Sequence, residues 1–208
     1  GFTLGTAAEV NTNAVNYRYA AWREAANGVL SADIVDTNGD TISNPSFAMP
    51  AAGFPFTCDN TIGSLGTSSQ RLRVSNQTDS AAWTLSIAAT DGATGLWRNG
   101  GNTQQFDYND TTSSGCLDGG DSDSPGGQLT VSPGAGTLAP EVGCNNTNIA
   151  LGNLAAFDEG TTDAITLVSA ASGADTSCYW DLTDVALGQV IPSGQPGDTY
   201  TVNFTVTV

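Results

Sequence analysis

The chain has 208 residues and a formal charge of −16, from 21 Asp and Glu against five arginines, with neither lysine nor histidine. No basic cluster is available to neutralise phosphates or an anionic membrane surface, which excludes nucleic acid as a partner. Without His or Lys there is no Ser-His-Asp or Cys-His arrangement and no Schiff base. A carboxylate pair for glycoside hydrolysis is the reaction this inventory leaves open. Aspartates in Gly/Ser turns are ordinarily turn formers, so a non-enzymatic protein is expected.

In chain order, Gly1–Val10 comes first, and it starts on Gly rather than Met. That start reads as a secreted chain whose signal peptide has been removed. Phe2, Leu4, Ala8 and Val10 share one face of an extended strand, and the turn-forming run Asn11-Thr-Asn13 follows. Residues 1–15 are therefore read as a leader able to act as a donor strand, and residues 16–208 as a single β-sandwich domain. Next come strands near Tyr17–Arg23, Val29–Val35, Phe54–Thr57, Gln70–Val74, Trp83–Ala88 and Gln104–Tyr108. Further strands lie near Gln128–Val131, Asn148–Leu151, Ala164–Val168, Cys178–Thr183, Val185–Val190 and Thr199–Val206, with Gly134–Pro140 as a weak linker candidate. Short apolar runs separated by Gly/Asn/Asp/Ser turns point to an all-β fold, a jelly-roll or Greek-key β-sandwich. No stretch approaches the eighteen apolar residues of a membrane span.

Cys58, Cys116, Cys144 and Cys178 allow three pairings and fit two disulfides in an oxidising, extracellular setting. Nearest-neighbour closure gives Cys58–Cys116 and Cys144–Cys178. The alternative bonds Cys58 to Cys144, which head two similar stretches, Cys58-Asp-Asn-Thr and Cys144-Asn-Asn-Thr. Each stretch is followed by a Trp-x-Leu strand, Trp83-Thr-Leu85 and Trp180-Asp-Leu182, so the echo reads either as a duplicated half-sandwich or as chance. Trp and Leu two apart point to the same side of a strand and are expected in the core.

The run from Arg71 to Thr90, containing Trp83-Thr-Leu85, and the closing run from Pro196 to Val208 resemble the two ends of the WxL surface domain of bacterial cell walls. That family carries its second Trp-x-Leu in the last strand, where this chain has Asn203-Phe-Thr205 and places Trp180-Asp-Leu182 upstream. The middle, with Gly28–Asp36 and Phe106–Asp110, is similar to uncharacterised secreted β proteins of ultrasmall bacteria. The resemblance implies an extracellular surface protein.

Asp107, Asn109, Asp110, Asp118, Asp121 and Asp123 gather hard oxygen donors within seventeen residues and form the calcium candidate. The competing reading is a hydrated acidic loop. Asp36-Thr-Asn-Gly-Asp40 is a smaller candidate that also reads as an Asn-Gly hairpin turn. Two functions follow. The first is a structural subunit of an extracellular filament or coat, a homopolymer held by noncovalent insertion of Phe2, Leu4, Ala8 and Val10 into a neighbour's sheet. The absence of lysine removes Lys-Asn isopeptide bonds from that mechanism. The second is a WxL-like module that holds cell-wall glycan (peptidoglycan), with Trp22, or Trp97 in its Gly-Leu-Trp-Arg-Asn-Gly-Gly turn, as the contact aromatic.

Overall fold

The computed structural model describes residues 28–119 and 126–208. Phe2, Leu4, Ala8, Val10, Trp22, the strand expected at Tyr17–Arg23, Asp121 and Asp123 lie outside the described residues.

The protein is all-β. The first strands are β1 (Leu30–Val35), β2 (Asp59–Leu65), β3 (Arg71–Asn76), β4 (Trp83–Ala89) and β5 (Leu96–Asn99). They are followed by β6 (Gln105–Asp107), β7 (Gln128–Ser132), β8 (Thr137–Pro140), β9 (Ile149–Leu151) and β10 (Ala155–Ala156). The last five are β11 (Ala164–Ala170), β12 (Cys178–Thr183), β13 (Val185–Ile191), β14 (Tyr200–Thr201) and β15 (Phe204–Thr207). They build four antiparallel sheets, ordered β1-β3-β12-β8, β10-β7-β13-β2, β15-β4-β11-β9 and β14-β5-β6. No helix among the described residues is long and apolar enough to cross a membrane.

Strict alternation decides which face is buried. In β3, Leu72, Val74 and Asn76 turn inward while Arg71, Arg73 and Ser75 turn outward; in β4, Trp83, Leu85, Ile87 and Ala89 turn inward. A bulge between Thr166 and Val168 in β11 brings Leu167 and Val168 both inside, where simple alternation would expose one of them. These side chains share one core with Leu65, Leu129, Val131 and Val185, the arrangement of a β-sandwich. Both Trp-x-Leu pairs are central to it. Trp83 and Trp180 meet from different sheets with ring centroids 5.5 Å apart, and Leu85 and Leu182 are buried beside them.

Cys58 is bonded to Cys116 and Cys144 to Cys178, with Cα atoms 5.4 and 6.3 Å apart. Two such bonds are the mark of an oxidising, non-cytoplasmic compartment. The similar stretches after Cys58 and Cys144 are laid out differently. One forms β2 and its cysteine bonds out to the turn before β7; the other leads to β9 and its cysteine bonds the first residue of the Trp180 strand.

On the outer face of the first sheet, Arg73 sits opposite Asp181 and donates to both of its carboxylate oxygens, at 2.7 and 2.9 Å. Arg71 reaches the same carboxylate at 3.2 Å and donates to the backbone carbonyl of Asp36. The Asp181 hydrogen bonds raise the pKa of Arg73, whose guanidinium also stacks on the Tyr179 ring at 3.8 Å. The Asp36–Asp40 segment is a turn held by its own aspartate, since Asp36 accepts the N–H groups of Asn38 and Asp40. Those bonds, Asp40's first, hold the Asp36 carboxyl below its ordinary pKa.

Three expectations are corrected. Phe54–Thr57 is not a strand: Pro55 interrupts the run, and pairing begins at Asp59, where β2 lies along β13. Gly134–Pro140 is no linker. A short 3-10 turn over Pro133–Ala135 leads directly into edge strand β8, and its Pro140 ends at a position that an edge tolerates. Trp97 belongs to strand β5, and the Gly/Asn-rich turn follows it between Asn99 and Gln104.

Candidate functional site

The β5–β6 hairpin places Trp97 directly opposite Phe106, and the rings stack with centroids 5.8 Å apart and planes 12° from parallel. Tyr200 of β14 meets Phe106 edge-on at 5.1 Å. Side-chain bonds fix Trp97 and Tyr200. The Trp97 indole Nε1 donates to Gln189 Oε1 at 2.8 Å, and Gln189, buried in β13, donates onward to the carbonyls of Asp107 and Val190. The Tyr200 hydroxyl donates to the Pro196 carbonyl and accepts from Gln195 Nε2. Asn99 spans the hairpin turn and donates to Asp198 at 2.9 Å. That bond, then the Thr199 N–H, holds the Asp198 carboxyl below its ordinary pKa.

These rings wall a groove of about 490 Å³, closed on its other side by the run Ser46–Gly53. The groove continues into a cleft of about 280 Å³ that reaches core residues Leu65, Ile87 and Leu129. Val202, Phe204 and Val206, alternate residues approaching and within β15, line one wall of the cleft, while Phe47 and Met49 cover it. No charged side chain lines the cleft. β15 is an edge strand paired only with β4, so among the described residues its second edge has no partner strand. Trp97 was legible as an aromatic of interest; Phe47, Met49, Gln189 and Tyr200 were not. The available signal was the strand-free, uncharged, Pro-punctuated run from Ser43 to Cys58, a length that seldom occurs in a compact domain without a purpose.

The acidic segment is organised by its own backbone. Asp107, Asn109 and Asp110 are buried. Asp107 Oδ1 accepts the N–H groups of Tyr108 and Asn109, and Asp110 uses one oxygen for Thr112 N–H and the other for Gly119 N–H. A Cβ at position 119 would lie 2.6 Å from Asp110 Oδ1 and from Thr112 Oγ1, so a larger residue there would push those side chains aside. Asp118 is exposed. Burial, followed by the charges of Asp107, Asp163 and Glu159, raises the pKa of the Tyr108 phenol, whose hydroxyl donates to the Gly92 carbonyl. Among the described residues the only three candidate metal ligands whose donor atoms converge are Cys144, Asp175 and Cys178. The two sulfurs are bonded to each other, and Asp175 accepts from the N–H and Nδ2 of Asn145, so that group is a disulfide beside a capped loop.

No protein-family model matches the chain, and no curated protein or solved structure resembles it significantly.

Proposed function

We propose that this protein is a non-enzymatic extracellular structural protein, a subunit of a surface filament or coat assembled by noncovalent β-strand exchange. The observation that carries this reading is the edge of β15, which has no partner strand among the described residues and whose inward side chains line an uncharged cleft open to the core. An open edge of this kind invites pairing with another chain. The chain supplies a suitable strand in Phe2, Leu4, Ala8 and Val10. Burying Phe2, Leu4 and Val10 is worth about 1.5–3 kcal/mol each, and each new backbone hydrogen bond about 0.5–1.5 kcal/mol, before ordering costs. The polar inventory agrees: Asp36, Asp110, Asp175, Asp181 and Asp198 hold turns or sheets together through hydrogen bonds, which is structural work. Electron microscopy of the full chain is expected to show polymers with a regular subunit repeat. Single particles alone at every concentration would overturn the reading.

A second reading has its own observation. Trp97, Phe106 and Tyr200 give the open groove an aromatic wall with Gln195 and Asp198 nearby, a combination suited to a sugar ring. Here the module holds cell-wall glycan. Retention of the full chain on purified peptidoglycan, abolished by Trp97→Ala, is the expected outcome; no retention of the unmodified chain refutes it. Calcium at Asp107–Asp123 stands as a proposal beside both, tested by elemental analysis and by the melting temperature in excess chelator.

A further inference from the structure

We infer that the cleft between β15 and the Phe47–Met49 cover is the acceptor site for residues 2–10 of a second copy of this chain. The inference rests on the strand-exchange reading and adds where the strand goes.

Three features of the cleft match that segment. The first is period. Within β15, Phe204 and Val206 are half-buried and line the cleft while Thr205 and Thr207 are exposed and do not; ahead of it Val202 is half-buried, with exposed Thr201 and Asn203 at the rim of the cleft. A strand laid along β15 would present its own alternate residues to the same space, and residues 2, 4, 6, 8 and 10 read Phe, Leu, Thr, Ala and Val. The second is charge. In a chain of net charge −16 the cleft lining carries no charged side chain, and the one charge in residues 2–10, Glu9, falls on the strand face opposite Phe2, Leu4, Ala8 and Val10, so the inserted face carries no ion to desolvate. The third is the backbone. The edge of β15 that is unpaired among the described residues offers N–H and C=O groups to an added strand, and the aromatic groove beside the cleft leaves an open way in.

Reach permits a neighbour as the source as well as the same chain. The described chain begins at Gly28, which lies against Gln77 beside the Leu30 end of β1, whereas Ile34 at the far end of β1 borders the cleft. The 27 residues before Gly28 span up to about 90 Å when extended, which is ample for bridging to an adjacent subunit.

The test uses full-length chains. A donor-blocked chain carrying Phe2→Asp and Leu4→Asp and an acceptor-blocked chain carrying Phe47→Glu and Val206→Asp should each be monomeric. Mixed, they should form a one-to-one dimer and nothing larger. The donor-blocked chain should bind a synthetic peptide of residues 1–10, and Phe47→Glu should weaken that binding at least about tenfold. A folded acceptor-blocked chain that still polymerises overturns the cleft assignment while leaving strand exchange standing. An unmodified chain that stays monomeric overturns both. Should the acceptor substitutions prevent folding, a photo-crosslinker at position 2 of an otherwise unmodified chain decides, in mixtures of isotope-labelled and unlabelled protein. Intermolecular links to Phe47, Met49 or Val206 support the site; links elsewhere, links within one chain, or capture of a different protein overturn it.

Discussion

The two aromatic groups of this protein serve opposite ends. Trp83 and Trp180 are sealed between two sheets, Trp180 is fully buried, and its Nε1 donates to the Asn145 carbonyl within the chain. Trp97, Phe106 and Tyr200 make contacts of similar length, but they wall a groove left open to solvent and joined to a sheet edge with no partner strand among the described residues. The first group stabilises. In the second, Gln189 and Pro196 hold Trp97 and Tyr200 in place while leaving both half-buried around the buried Phe106, and that is how a surface prepared for a partner differs from a core.

Truncating the two tryptophans separates these roles most strongly. Trp180→Ala should cost about 3–5 kcal/mol in denaturant unfolding. Trp97→Ala, at a half-buried site, should cost less than about 2 kcal/mol. Equal losses would dissolve the distinction between core and groove. Replacing Cys58 and Cys116 with serine removes a bond that spans 58 residues, for which the chain-entropy model gives up to about 4 kcal/mol. That bond anchors the end of the Ser43–Cys58 run, so proteolysis should speed up there first, ahead of the Trp83–Trp180 region. Asp181→Asn leaves Arg71 and Arg73 on the closed outer face without their carboxylate and should cost about 1–3 kcal/mol.

The smallest effect is a pH response of the groove wall. The folded pKa of Asp198 lies below the ordinary aspartate value, so its bond to Asn99 contributes fully above about pH 4 and is lost as pH falls through the lower value. Amide exchange around Asn99–Gln104 should rise in that acidic window and not near neutrality. In Asp198→Asn that rise should disappear.

Much of the fold was legible from the chain. The alternation in Arg71–Asn76 and Trp83–Ala89 survives as buried and exposed faces, and the disulfides close between neighbours in sequence. The failures have physical causes. β2 contains Asp59, Asn60 and Gly63, a composition that imitates a turn, and it is a strand because β13 pairs with it along its whole length. β8 was hidden by Gly and Pro and exists through its register with β12. Of the site, Trp97 stood out as an exposed-looking aromatic, but the cleft is assembled from Ile34, Phe47, Leu129 and Val206, residues that no local pattern relates. In the acidic segment the spacing of the acids was legible, but the backbone N–H groups that Asp107 and Asp110 accept are set by the path of the chain and not by any local pattern.

Sedimentation velocity of the full chain against a chain lacking residues 1–10, over a wide concentration range, tests the central claim most directly. Strand exchange predicts concentration-dependent polymers for the full chain and a folded, disulfide-bonded monomer for the shortened one. A shortened chain that assembles as the full chain does would contradict it.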